Sequence, residues 1–143
     1  MKNPLLLNQA YINGKFITSK NTFEVINPAT GKSIGTVPDL EIQDCKNAII
    51  AAEKAWKSWK NRAIDERSAI VRRWYELILQ NKNELAEIMT LESGKPLQES
   101  LTEVDYGNSF VEWFAEEGKR SYGETIPSSK NGNHMMTIKQ GIG

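Results

Sequence analysis

The chain has 143 residues, 18 Lys and Arg balanced by 18 Asp and Glu, one cysteine and one histidine. That length suits one domain, and the balanced charge argues against a nucleic-acid or anionic-membrane binder, which needs a basic excess. A single cysteine excludes an internal disulfide and a cysteine-based zinc cluster. The three-residue apolar run Leu5-Leu6-Leu7 is too short for a signal peptide or a membrane span, so a cytoplasmic protein is expected.

The first 37 residues read as a β-hairpin arm. Asn13-Gly14 sits between short β-prone runs, Tyr11-Ile12 and Lys15-Phe16-Ile17, and is the preferred pair for a type I′ turn. Thr22 to Ile26 reads as a strand, Asn27-Pro28-Ala29-Thr30-Gly31 as a turn, and Lys32 to Val37 as the returning strand. From Asp39, a candidate N-cap, the period becomes helical. Ile42, Cys45, Ile49, Ala52, Trp56 and Trp59 share one face of a first helix. A second begins near Asp65, with Ile70, Trp74, Leu77 and Ile78 as its stripe. Asn81-Lys82-Asn83 interrupts it before a third, with Leu85, Ile88 and Met89. Gly94 followed by Pro96 predicts a left-handed cap, with Pro96 as the first residue of a fourth helix. A fourth helix carries Leu97, Leu101, Val104, Val111 and Phe114, with Phe110 and Trp113 beside them, and ends at Gly118 or Gly123. Ser128 to Asn133 is a polar turn, and residues 134–143 read as a strand entering a glycine-rich turn.

Strands at the two ends and helices between do not make a tidy layered domain. An unpaired closing strand needs a partner from this chain, from another chain, or from a longer polypeptide.

The candidate chemistry is sparse. Cys45 fits a small apolar residue on a helix face better than a nucleophile, because no second group argues for its activation. His134 lies almost ninety residues away, and alone it cannot form a metal site. Glu116 and Glu117 with Lys119 and Arg120 read as a charged helix end rather than an anion site. Neither a dinucleotide fingerprint nor a phosphate-cradling loop is present, and Gly141-Ile142-Gly143 has no helix after it. Trp56, Trp59, Trp74 and Trp113 read as core or interface anchors. The expected sets of catalytic, cofactor-binding and metal-binding residues are therefore empty.

Several blocks come in an informative order: Tyr11-Ile12-Asn13-Gly14-Lys15, then Phe23 to Lys32, the Ala51-Ala52-x-x-Ala55-Trp56-x-x-Trp59 helix, Glu66-Arg67, and Thr90-Leu91-Glu92-Ser93-Gly94-Lys95-Pro96-Leu97. Together they resemble the aldehyde dehydrogenase superfamily. Phe110 to Arg120, followed by Tyr122-Gly123-Glu124-Thr125-Ile126-Pro127, resembles its succinate-semialdehyde dehydrogenase branch. The resemblance runs from about Tyr11 to Gly143. It departs at Gly141, where the family usually has proline, and at Gly118, where the branch usually has another small residue.

The resemblance implies an α/β class and the N-terminal part of that family's fold. Residues 1–37 would form the β-hairpin arm. Residues 38–127 would supply four helices flanking a Rossmann-like cofactor domain. Residues 134–143 would be a closing strand of the oligomerisation sheet. For a full-length enzyme it implies NAD- or NADP-dependent oxidation of an aldehyde, succinate semialdehyde above all, through a cysteine nucleophile and a general-base glutamate. None of those groups has a counterpart here, so the chain is expected to be a silent fragment whose partners are the remainder of the dehydrogenase or homologous subunits. The competing reading is a non-catalytic module that docks on a full-length dehydrogenase.

Overall fold

The computed structural model describes residues 3–142. Among them the order is β1 (Ala10–Ile12), β2 (Lys15–Ile17), β3 (Thr22–Ile26), β4 (Ser33–Pro38), α1 (Ile42–Trp59), α2 (Ile64–Gln80), α3 (Lys82–Ser93), α4 (Leu97–Glu117), a 3-10 turn (Gly118–Arg120), β5 (Thr125–Ile126) and β6 (Met135–Met136). The strands form three separate antiparallel pairs, β1 with β2, β3 with β4, and β5 with β6.

The first two hairpins follow from local backbone chemistry. Asn13 and Gly14 have φ of 51° and 76°, as a type I′ turn demands. In the β3–β4 turn the Asn27 side-chain oxygen accepts from the Ala29 amide at 2.9 Å. The Asn27 carbonyl accepts from the Gly31 amide at 2.8 Å, with Gly31 at φ 67°. This turn packs on the cap of α3, where Gly94 is left-handed at φ 74°. A Cβ on Gly94 would lie 2.8 Å from the Pro28 ring. Two motifs more than sixty residues apart are thus one contact.

The helices form a layer in which α4 lies against α2 and α3. The buried positions between them are small or polar: Ser68, Ala86, Ser100, Val104, Asn108 and Ala115. Small residues let the axes approach closely, and Ser100 and Asn108 make hydrogen bonds between helices. Thr90 and Ser100 hydroxyls are 2.8 Å apart, and the Asn108 amide nitrogen donates to the Tyr75 carbonyl at 3.2 Å. Ion pairs staple the rim: Arg72 with Glu112 at 2.9 Å, Lys82 with Asp105 at 2.6 Å, and Lys95 with Glu103. Asn3 ties the N-terminal arm to α3 by donating to the Glu84 carbonyl and the Glu87 carboxylate, both at 2.8 Å. Arg67 secures the α1–α2 link by donating to the carbonyls of Lys60 and Arg62 at 3.2 and 2.9 Å.

Several expectations need correction. Asp39 does not cap α1. Its amide donates to the Asn21 carbonyl at 2.8 Å, which extends the β3–β4 ladder. Glu41 takes the N-cap position, and its amide is held by the Asp44 carboxylate at 3.1 Å. Pro96 is the N-cap of α4 rather than its first helical residue. The expected strand over 134–143 shrinks to Met135–Met136, and its partner is internal: Thr125 pairs with Met136 and Ile126 with Met135. Thr125–Ile126 itself falls inside the segment expected to be helical. The pairing extends by one step, since the Thr137 amide donates to the Glu124 carbonyl at 2.8 Å. Beyond Thr137 the chain leaves the ladder and Gly141 settles against Trp56. A Cβ there would come within 2.6 Å of the indole ring. The last residue of the expected Gly141-Ile142-Gly143 turn lies outside the described residues.

Candidate interaction surface

The residues that stand out in the sequence as candidates for chemistry do not converge on a centre. Cys45 is exposed, not packed on a covered face. The reason is that α1 buries none of its residues. His134 is exposed in the loop before β6. No group of three or more His, Cys, Asp or Glu among the described residues could hold a metal ion. Glu116 pairs with Lys119 at 3.2 Å and Glu117 with Arg120 at 3.0 Å, so the cations at the end of α4 are already matched and do not form an anion site. The helix N-termini, where a pyrophosphate would bind, carry carboxylates in their first turns: Asp44, Asp65 and Glu66, Glu84, and Glu99. Those side chains lower the affinity of these helix starts for a phosphate. No described helix is long and apolar enough to cross a membrane.

What the structure does assemble is apolar surface. In α2 the inward positions are Ser68, Val71, Tyr75 and Ile78, whereas Ile70, Trp74 and Leu77 of the expected stripe are 46, 57 and 41% exposed. In α4 the inward row of Ser100, Val104, Asn108 and Ala115 is opposed by Tyr106, Phe110 and Trp113, which are 66, 46 and 64% exposed. Tyr106 and Phe110 stack edge to face with ring centres 5.0 Å apart. These helices therefore leave several of their largest side chains facing outward.

Two grooves carry most of this surface. One, of about 830 Å³, runs between α2, α3 and α4 and is lined by Trp74, Ile78, Ile88, Met89, Asn108 and Phe110. The other, of about 690 Å³, lies on α1 against Ile49, Ala52, Trp56, Trp59 and Ile142. Among the described residues no tryptophan is buried: Trp56 and Trp59 are half-buried, and Trp74 and Trp113 are exposed. Of the two roles expected for them, core or interface anchor, the surface placement favours the second. A signal for these faces is present in the sequence of α4, where apolar residues occupy two opposite stripes rather than one.

Three comparisons bear on this surface. The model of the aldehyde dehydrogenase family matches residues 16–143. Glutarate-semialdehyde dehydrogenase of Pseudomonas putida is 49% identical over 141 residues, covering 97% of this chain and 29% of that enzyme. The NADP-dependent succinate-semialdehyde dehydrogenase GabD of Escherichia coli K12 is 43% identical, with the same coverage of 97% and 29%. The crystal structure of succinate-semialdehyde dehydrogenase from Burkholderia pseudomallei superposes with a TM-score of 0.90 at 47% identity, covering 95% of this chain and 29% of that one. The chain thus spans under a third of the length of the relatives it matches, and its match is to their N-terminal part.

Proposed function

The chain belongs to the aldehyde dehydrogenase family, and from that premise we propose that it is the scaffolding front portion of an enzyme that oxidises a dicarboxylic semialdehyde with NAD or NADP. Succinate semialdehyde is the favoured substrate, with its one-carbon-longer homologue glutarate semialdehyde as the competitor, following the names of the two relatives. The observation that carries the reading is the combination of 97% coverage of this chain with 29% coverage of the relative. The structural support is a helix layer whose small side chains point inward and whose large ones await cover. In this reading residues 1–143 take no direct part in chemistry. The nucleophile, the base and the cofactor site belong to the remainder of the enzyme, and α1 to α4 brace that remainder.

The test has two arms. The chain alone, given either semialdehyde with NAD or NADP, is expected to give no reduced cofactor. A chimera in which it replaces the matching 29% of the Pseudomonas putida relative is expected to turn over. Turnover by the chain alone, or an inactive but folded chimera, refutes the reading. The exposed Trp113 and Phe114, 64 and 62% exposed, also suit the second reading, a module docking on an intact dehydrogenase. That reading predicts a stable complex with the full-length relative, which the first does not.

A further inference from the structure

The Asn-Gly pair occurs twice in the chain, as Asn13-Gly14 and as Asn131-Gly132, and all four residues are exposed. Glycine has no Cβ, so its backbone nitrogen is open to approach by the side chain of the preceding asparagine. That nitrogen is a poor nucleophile while its lone pair is delocalised into the peptide bond. Once it gives up its proton to a base it can attack the asparagine Cγ. Residue type and exposure are the same at both pairs, so the backbone around each decides which of them reacts.

Asn13-Gly14 is held from both sides. Its two residues have φ of 51° and 76° in the type I′ turn. The ladder beside it pairs Ile12 with Lys15, Tyr11 with Phe16 and Ala10 with Ile17. The Tyr11 and Phe16 rings pack with centres 5.1 Å apart, and the Tyr11 hydroxyl is 3.9 Å from where a Cβ on Gly14 would lie. Closing a ring between Asn13 Cγ and the Gly14 nitrogen means rotating ψ of Asn13 out of the turn, which breaks the Ile12–Lys15 pair. Asn131-Gly132 is placed differently. It lies in the connection over residues 127–134, between β5 and β6 and outside their ladder. The bond across its turn, from the Asn133 amide to the Lys130 carbonyl, is long at 3.4 Å. A Cβ on Gly132 would meet nothing within 4 Å. Rotating ψ of Asn131 therefore costs little.

We propose that Asn131 is a site of spontaneous deamidation, and that Asn13 is protected from the same reaction by its hairpin. The deprotonated Gly132 nitrogen bonds to Asn131 Cγ. The side-chain nitrogen leaves with the electron pair of the broken C–N bond, takes a proton from water and departs as ammonia, so that a cyclic imide remains. Water then adds to either imide carbonyl and breaks its bond to nitrogen, giving aspartate or isoaspartate with no oxidation or reduction. Both products add a negative charge. Isoaspartate also routes the main chain through the former side-chain methylene, which lengthens the connection between β5 and β6 by one carbon.

The experiment incubates the purified chain in weakly alkaline buffer, with and without concentrated urea. Digestion with pepsin at acid pH and mass spectrometry of the peptides then measure conversion at each asparagine, and electron-transfer fragmentation separates aspartate from isoaspartate. Breaking one or two hydrogen bonds of the hairpin first should slow Asn13 by about tenfold relative to Asn131 in plain buffer. In urea the two rates are expected to converge, because Asn13 speeds up. Asn131→Gln is expected to remove the faster conversion and leave that of Asn13 as it was. Equal rates in plain buffer, whether from a folded or an unfolded chain, overturn the proposal, as does faster conversion at Asn13 or conversion at neither. A gap that persists in urea overturns the protective role of the hairpin, since the difference would then lie in the neighbouring residues rather than in the fold.

Discussion

Replacing Gly94 with alanine probes the contact between the β3–β4 turn and the cap of α3. The residue sits at φ 74°, where an L side chain costs about 1–2 kcal/mol. The added Cβ would also lie 2.8 Å from Pro28 Cγ and 3.3 Å from the Ala29 backbone nitrogen. The proline is ring-locked and the second neighbour is backbone, so relief requires the whole turn to move, which adds about 1–3 kcal/mol. The sum, about 2–5 kcal/mol, is a large fraction of the 5–15 kcal/mol typical of a domain. It corresponds to a fall of about 10 °C in the unfolding midpoint at this size. Gly107→Ala is the matched control. Its Cβ meets nothing within 4 Å in the middle of α4, so the same methyl is expected to stabilise the free chain by up to about 1 kcal/mol. Urea unfolding followed by circular dichroism and tryptophan emission measures both. A Gly94→Ala midpoint at or above the parent's, or shifts of the two variants in the same direction, would refute this account of the contact.

Other outcomes follow from single contacts. Gly123→Ala places a methyl group onto the Thr137 carbonyl oxygen. It is expected to abolish amide-exchange protection at Thr137 and the β5–β6 pair while leaving that of α2 and α4 intact. Asn27→Ala removes the acceptor of the Ala29 amide at a turn in which Asn27 itself is buried and is expected to cost about 1 kcal/mol in chemical denaturation. A double-mutant cycle on Arg72 and Glu112, both 44% exposed, is expected to give a coupling below about 1 kcal/mol that vanishes in 1 M salt. A coupling that survives salt would mean that the pair is more sheltered than its exposure implies.

The parts legible in the sequence are those set by local backbone demands. Asn13-Gly14, Asn27 to Gly31 and Gly94 all need positive φ or a side-chain-capped turn, and each is where its residue types place it. The existence and order of the four helices are legible from their period. Which way they face is not. Ile70, Trp74 and Leu77 make the most apolar stripe of α2, yet Ser68 and Tyr75 turn inward, because close helix packing here is set by small residues and hydrogen bonds rather than bulk. Periodicity reports that a face is apolar, not which neighbour covers it. The same reason puts Cys45 in the open, since none of the residues of α1 is buried. The closing strand is shorter than its residues suggest because β propensity runs on past Thr137, whereas its available partner, Thr125–Ile126, is only two residues long.

The inverted helix layer has a consequence for how mutations will read out. A deep mutational scan scored on the free chain would find Trp74, Tyr106, Phe110 and Trp113 tolerant of polar replacement, and even improved in solubility. It would find Ser68, Ala86, Ser100 and Ala115 intolerant of enlargement. In a polypeptide that covers both faces, the first group becomes as constrained as the second. The difference between the two scans, position by position, would draw the outline of the buried contact without any structure of the assembled form.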